Sequence, residues 1–296
     1  KKGVVVSGTR IEPPLHPDGP EKILMDYGIE PEEFKEQELL TWFNSSPELT
    51  HSKLGKETTE GIFAPWAIMK EDFQSIGGHD PLYAPQSKED SDIFNRFVLN
   101  GYKLVQTWRG FVYHMTCRGS RFADGAKRNP NGEVFMKNRE TDEWLAQNIR
   151  STRNFIRKWG HFVKHDEYLK PIVPPKYDIG LVIKNCSEQL LESLEPWCST
   201  IYVDTFAEDY INKEQPNTDF NLTKRIYSID AEKQNDIEVR FDGNKLTQDA
   251  FEIITNLSEI LSNDEKLETG TFELGMLGIK INKIKTYEGD LIKCIR

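Results

Sequence analysis

The sequence predicts an α/β protein built as two units. Three observations carry this. Short apolar strand runs alternate with amphipathic helical runs along the chain, the pattern of sheets flanked by helices. A stiff stretch from Lys170 to Pro175 holds three prolines in six positions and marks a linker. At 296 residues the chain is long enough for two packed cores. Residues 1–170 are therefore expected as one unit and residues 176–296 as a small α/β or α+β domain.

Val4 to Ile11 reads as a strand and runs into Pro13, Pro14, Pro17 and Pro20, too much proline for a helix or a central strand. This run is expected as a rim loop, with Arg10 or His16 facing a ligand or else a rigid connection. Pro31 to Trp42 has helical spacing, and 44–60 is polar loop. Gly61 to Met69 is expected as a strand feeding a helix from Lys70 to Ile76, ended by Gly77 and Gly78. Ile93, Phe94, Phe97 and Val98 share one helical face, and Gly101 stops that helix. Tyr102 to Gln106 and Phe111 to His114 read as strands, 123–140 as loop, and Thr141 to Val163 as a long helix. After Lys176 come strands at 178–184, 200–204 and 237–241, helices at 187–194 and 247–261, and strand candidates at 272–284 and 291–295. No catalytic constellation is visible in this second unit; Asp204, Asp209 and Asp242 read as solvated acids.

Composition removes several classes of function. A formal net charge of -10 argues against a nucleic-acid binder. No apolar run is long enough to span a bilayer. Cys117, Cys186, Cys198 and Cys294 show no paired spacing, so neither zinc nor a disulfide framework is indicated. Reduced thiols in a cytoplasmic protein are the expectation.

The organising stretch is 61–114. At its centre Glu89, Asp90 and Asp92 place three carboxylates in four positions at a helix start, where the dipole is expected to keep them ionised. Around them stand Ala64-Pro65-Trp66, Gly77-Gly78-His79-Asp80, Arg96, Gly101-Tyr102-Lys103 and Tyr113-His114. In order and spacing this set resembles the acceptor half of a family 2 glycosyltransferase, an inverting enzyme of the GT-A fold. The likeness covers roughly residues 1–125. It implies a partial GT-A-like, Rossmann-like sheet with flanking helices. It also implies transfer of a sugar from a nucleotide-diphosphate sugar to a carbohydrate or other hydroxyl acceptor.

In that chemistry a carboxylate takes the acceptor's proton. The resemblance gives this role to Asp90, with Glu89 as the alternative base. Trp66, Gly77, Gly78, Asp80 and Asp92 would line the substrate site, Arg118 and Arg121 would close over the diphosphate, and His114 would help to hold Mg²⁺ or Mn²⁺. Trp66 equally suits a core position, the Gly-Gly pair a plain helix stop, and His114 a hydrogen-bonded strand end. The sequence departs from the family in one respect. The family holds its metal on an Asp-x-Asp upstream of the acceptor half, whereas the only Asp-x-Asp here is Asp90-Ser91-Asp92. The expectation is a glycosyltransferase, or a C-terminal piece of one, that lacks its donor half and is weak or inactive alone. Two other readings stand beside it: a non-catalytic interaction module that keeps the fold, and a metal hydrolase using Asp90, Asp92 and His114. An unpartnered edge at Val4–Val6 would invite pairing with a second copy.

Overall fold

The computed structural model describes residues 1–45, 55–115, 126–136 and 141–293. β1 (Val4–Glu12) is the middle strand of the first sheet. β2 (Lys22–Leu24) lies parallel to its end, opposite Arg10 to Glu12. After α1 (Glu36–Ser45) and the two-residue β3 (Thr58–Thr59) comes β4 (Trp66–Ala67), antiparallel to Val6 and Ser7. α2 (Lys70–Ser75) and α3 (Glu89–Leu99) lead to β5 (Lys103–Tyr113), parallel to β1 on its other flank. The sheet order is β2-β1-β5-β3, with β4 also on β1. On one side β1 pairs with β5 from Val4 to Ile11; on the other, β4 covers Val6 and Ser7 and β2 covers Arg10 to Glu12, so among the described residues Val4 and Val5 have no strand on that second side.

The chain differs from expectation where local chemistry interrupts pairing. The strand expected over 61–69 shrinks to β4, because Pro65 has no N–H to donate; its carbonyl instead accepts from Gly8 N at 3.2 Å. The two strands expected over 102–114 are one strand with a bulge, where Gly8 faces Thr107 and Thr9 faces Phe111. A hairpin replaces the loop expected over 123–140: β6 (Ala126–Arg128) pairs with β7 (Val134–Met136). Its turn is closed by Asn129, whose Oδ1 accepts from Asn131 N and Glu133 N, and by Gly132 at φ +82°. Arg128 anchors the hairpin to Asp26 and Glu33.

α4 (Asp142–Trp159) joins the two units. Thr141 caps it by accepting from Trp144 N at 3.2 Å, Asp142 and Glu143 occupy the first turn, and Gly160 ends it at φ +79°. The second unit is a six-stranded sheet. β8 (Ile179–Lys184), α5 (Glu188–Leu194), β9 (Thr200–Val203), α6 (Glu208–Glu214), β10 (Ile226–Ser228) and β11 (Ile237–Asp242) form the parallel part. α7 (Gln248–Thr255) and α8 (Leu257–Ser262) precede the hairpin of β12 (Gly270–Leu274) and β13 (Leu277–Ile281). The order is β10-β9-β8-β11-β13-β12, so the domain is α/β with an antiparallel edge. The single helix expected over 247–261 breaks at Asn256, whose side chain bonds back to Glu252 O at 2.9 Å and competes with the helical ladder. Glu288 to Leu291 is a 3₁₀ turn at the start of the last expected strand, and 294–296 lie outside the described residues.

The units are riveted by buried charge. Arg157 on α4 is fully buried and pairs with Glu195 at 2.7 Å and with Glu214. Arg153 approaches the same two acids, and Arg225 approaches Glu195. Among the described residues no helix is long and apolar enough to cross a membrane.

Candidate active site

The start of α3 is locally strained. Ser87 and Lys88 both hold left-handed backbone, at φ +77° and +72°, which costs a non-glycine residue about 1–3 kcal/mol. Contacts from α4 pay for this: Ser87 Oγ donates to Asn148 Oδ1 at 2.8 Å, and Ser151 Oγ and Gln147 Nε2 donate to Gln86 O. The strained pair fixes where the acidic first turn points.

The acids then part company. A helix turns about 100° per residue, so Asp90 and Asp92 face nearly opposite ways. Asp92 is fully buried and meets Arg96 Nε at 2.8 Å, Lys158 Nζ at 2.6 Å, Trp159 Nε1 at 2.9 Å and Tyr83 Oη at 3.3 Å. It ties α3 to α4. Arg96 is equally buried and donates a second bond to Ile76 O. Asp80 serves the same seam. It caps the Pro81–Tyr83 turn and pairs with Lys158 at 2.8 Å; burial pushes its carboxyl up, but the lysine outweighs this and holds it below its ordinary range. Asp80 and Asp92 thus sit on the packing side of α3.

Asp90 lies on the wall of a cleft of about 190 Å³. Ser91, Phe94 and Asn95 of α3 share that wall, Phe63 lies beside them, and Lys164 and His165 come from the segment after α4. Burial raises the Asp90 carboxyl above its usual value, with His79 opposing the rise. Glu89 is raised too, by burial and by Asp90, against a backbone hydrogen bond and His79; its Oε2 is buried without a partner among the described residues. The direction is opposite to the one expected from the helix dipole, because desolvation is the larger effect. Lys164 is held by Glu259 and Asn256, so the second unit braces this side of the cleft.

Trp66 is half buried beside the cleft, with ring contacts to Phe94 at 6.5 Å, Phe97 at 5.4 Å and His79 at 6.0 Å. Packing accounts for most of its surface. Gly77 and Gly78 form the turn after α2, at φ +83° and +69°; a Cβ on Gly78 would lie 3.2 Å from the Phe73 ring. His114 lies apart, on the sheet, with Nδ1 2.9 Å from Glu12. Glu12 is fully buried and also pairs with Lys22 at 2.8 Å and Arg10 at 3.4 Å. Burial alone would raise Glu12, but these partners bring it down to about 2. Arg10 faces no open ligand site: it is 6 % exposed, pairs with Glu21, and stacks 3.6 Å over Phe63. Through Phe63 the charged network touches the cleft. Arg118 and Arg121 lie outside the described residues.

Among the described residues no three His, Cys, Asp or Glu side chains group as metal ligands. The pair His114–Glu12 brings two cations with it, which a metal ion would have to displace.

No protein-family model matches this chain, and no curated protein matches it by sequence.

Sequence reasoning missed Asn95, Phe63, Lys164 and His165 as cleft residues. Asn95 and Phe63 belong to the stretch that carries the motifs, and Asn95 shares the helix face of Ser91 one turn earlier. Lys164 and His165 had no local signal, since they arrive from far along the chain.

Proposed function

We propose that the cleft is the acceptor site of an inverting sugar transferase that uses a nucleotide-diphosphate sugar, with Asp90 as general base. The observation that carries this reading is the division of labour on α3: Asp92 is wholly engaged in packing, while Asp90 lines a cleft with its carboxyl pushed up by burial. A general base works best when its pKa is moved towards the working pH. The acceptor hydroxyl hands its proton to Asp90 as its oxygen bonds the anomeric carbon. The bond from that carbon to the diphosphate breaks on the opposite face, and the diphosphate leaves with the electron pair. Glu89, next to Asp90 and raised in the same direction, is the alternative proton acceptor. Arg118 and Arg121 are proposed to meet the departing diphosphate.

The test is transfer itself. The full chain is incubated with a panel of nucleotide sugars and simple acceptor sugars, with Mg²⁺ or Mn²⁺ supplied, and released nucleoside diphosphate and product mass are measured. Slow turnover is expected, falling about 10²–10⁴-fold in Asp90→Asn. Equal rates for the two proteins would remove Asp90 from this role and leave it to Glu89; no transfer by the wild type with any donor would overturn the reading.

A further inference from the structure

The second unit carries a crevice that the proposed reaction does not use. It has a volume of about 360 Å³ and opens between the carboxyl ends of β9 and β10, the side on which open parallel sheets take ligands. Asp204 and Phe206 follow β9, Tyr227 belongs to β10, and Asp230 follows it. Phe206 is 72 % exposed, more than any other large apolar side chain among the described residues, and Tyr227 is exposed beside it.

The charge of the crevice has one sign. Its lining includes the two carboxylates and no lysine, arginine or histidine among the described residues. Three other crevices of the molecule each include a lysine: Lys158, Lys164 and Lys103. The backbone N–H groups of Cys186 and Asn185, at 2.9 and 2.7 Å, hold the Asp204 carboxyl below its ordinary range, so it stays charged. The Asp230 carboxylate has no hydrogen bond or ion pair among the described residues. Lys233 is turned away to the carbonyls of Ile229 and Ala231, 5.2 Å over the Tyr202 ring.

A ring beside carboxylates is what an arginine needs, since its planar guanidinium stacks on an aromatic face while its edge donates to acids. This chain builds that arrangement twice from its own residues. Arg10 lies 3.6 Å over Phe63 and pairs with Glu12 and Glu21; Arg225 lies 5.4 Å over Phe220 and pairs with Glu195. At the crevice the ring and the acids recur, and no arginine of this chain is in the lining. The formal net charge of -10 also favours a basic partner.

We propose that this crevice receives an arginine side chain of a partner protein, with the guanidinium stacked on Phe206 and hydrogen-bonded to Asp204 and Asp230. The site lies wholly in the second unit and stands or falls apart from the sugar-transfer reading.

Ligand-observed NMR on the full chain tests this with the blocked tripeptide Gly-Arg-Gly. The same peptide with citrulline, a neutral arginine of the same shape, or with lysine serves as comparison, and uridine and adenosine as uncharged ligands with a planar ring. The arginine peptide is expected to bind, and the citrulline and lysine peptides about tenfold more weakly or worse. Binding should weaken as salt is raised. Phe206→Ser and Asp230→Asn should each lose about tenfold in affinity. Both should melt with the wild type, because neither side chain has a hydrogen bond or ion pair within the described residues. Equal binding of the arginine and citrulline peptides, or wild-type binding by both variants, would overturn the proposal. So would binding of a nucleoside with no binding of the arginine peptide, or no binding of any probe.

Discussion

Asp90 and Asp92 differ by two positions in sequence and should differ in every consequence of losing their charge. Asp92→Asn keeps the shape but removes the counter-charge from a buried cluster. Lys158 would retain Asp80 at 2.8 Å, whereas Arg96, buried on all sides, would be left without an acid partner. Breaking a buried pair in this way costs about 3–5 kcal/mol. In a protein of this size each kcal/mol moves the melting temperature by roughly 2–4 °C, so a fall of about 10 °C is expected. Asp90→Asn has the opposite logic. Burial disfavours the Asp90 charge and no cation pairs with it among the described residues, so neutralising it should leave stability unchanged or slightly raised. Differential scanning fluorimetry and urea unfolding at pH 7 read both variants directly. If Asp90→Asn is destabilised as much as Asp92→Asn, Asp90 is a structural acid and its place in the cleft means nothing for catalysis. If Asp92→Asn melts with the wild type, the tie between α3 and α4 has been misjudged.

Three further outcomes follow from the same physics. His161 is 2 % exposed and burial lowers its pKa from 6.5 to about 4, so it stays neutral in the fold while the unfolded chain takes up a proton. Stability tied to this histidine is intact above pH 6.5 and falls by about 3 kcal/mol as pH drops towards 4; Asp- and Glu-independent, the effect is the difference between wild type and His161→Phe in urea titrations, and parallel pH curves would refute it. Arg157→Met should cost about 3–5 kcal/mol, because Glu195 and Glu214 lose their most buried cation; an equilibrium change below about 1 kcal/mol would show that Arg153 and Arg225 suffice. Burial pushes the thiols of Cys186 and Cys198 up to about 12, so neither should be alkylated by iodoacetamide in the native protein at pH 8; peptide mapping that finds native-state modification at either would contradict this.

What could be read from the sequence was local. The spacing of Ile93, Phe94 and Phe97 and the stop at Gly101 foretold α3, and the helical pattern from Thr141 foretold α4. The central strands of the second unit, at 179–184, 200–203 and 237–242, were legible as short apolar runs. β2 and β10 were not, being three-residue strands whose existence depends on β1 and β9 as partners. Nor was α6, whose short run of seven residues carries too few apolar positions to declare a face. The separation of Asp90 from Asp92 was implicit in helix geometry, yet a motif written as a string of letters conceals it.

The site adds a reason why composition alone could not rank those acids. All three carboxylates at the start of α3 share the same dipole, so that field cannot distinguish them. What distinguishes them is company. Asp92 meets Arg96 and Lys158 in buried ion pairs; Asp90 and Glu89 are desolvated with no cation in hydrogen-bond contact among the described residues, and are pushed towards the neutral form. That company comes from α4, from Phe63, and from Lys164, itself fixed by Glu259 of the second unit. A carboxylate becomes a candidate base here because distant elements close around it and leave it unpaired. Its raised pKa is therefore a property of how the two units pack, and anything that loosens α4 should return Asp90 towards an ordinary surface acid.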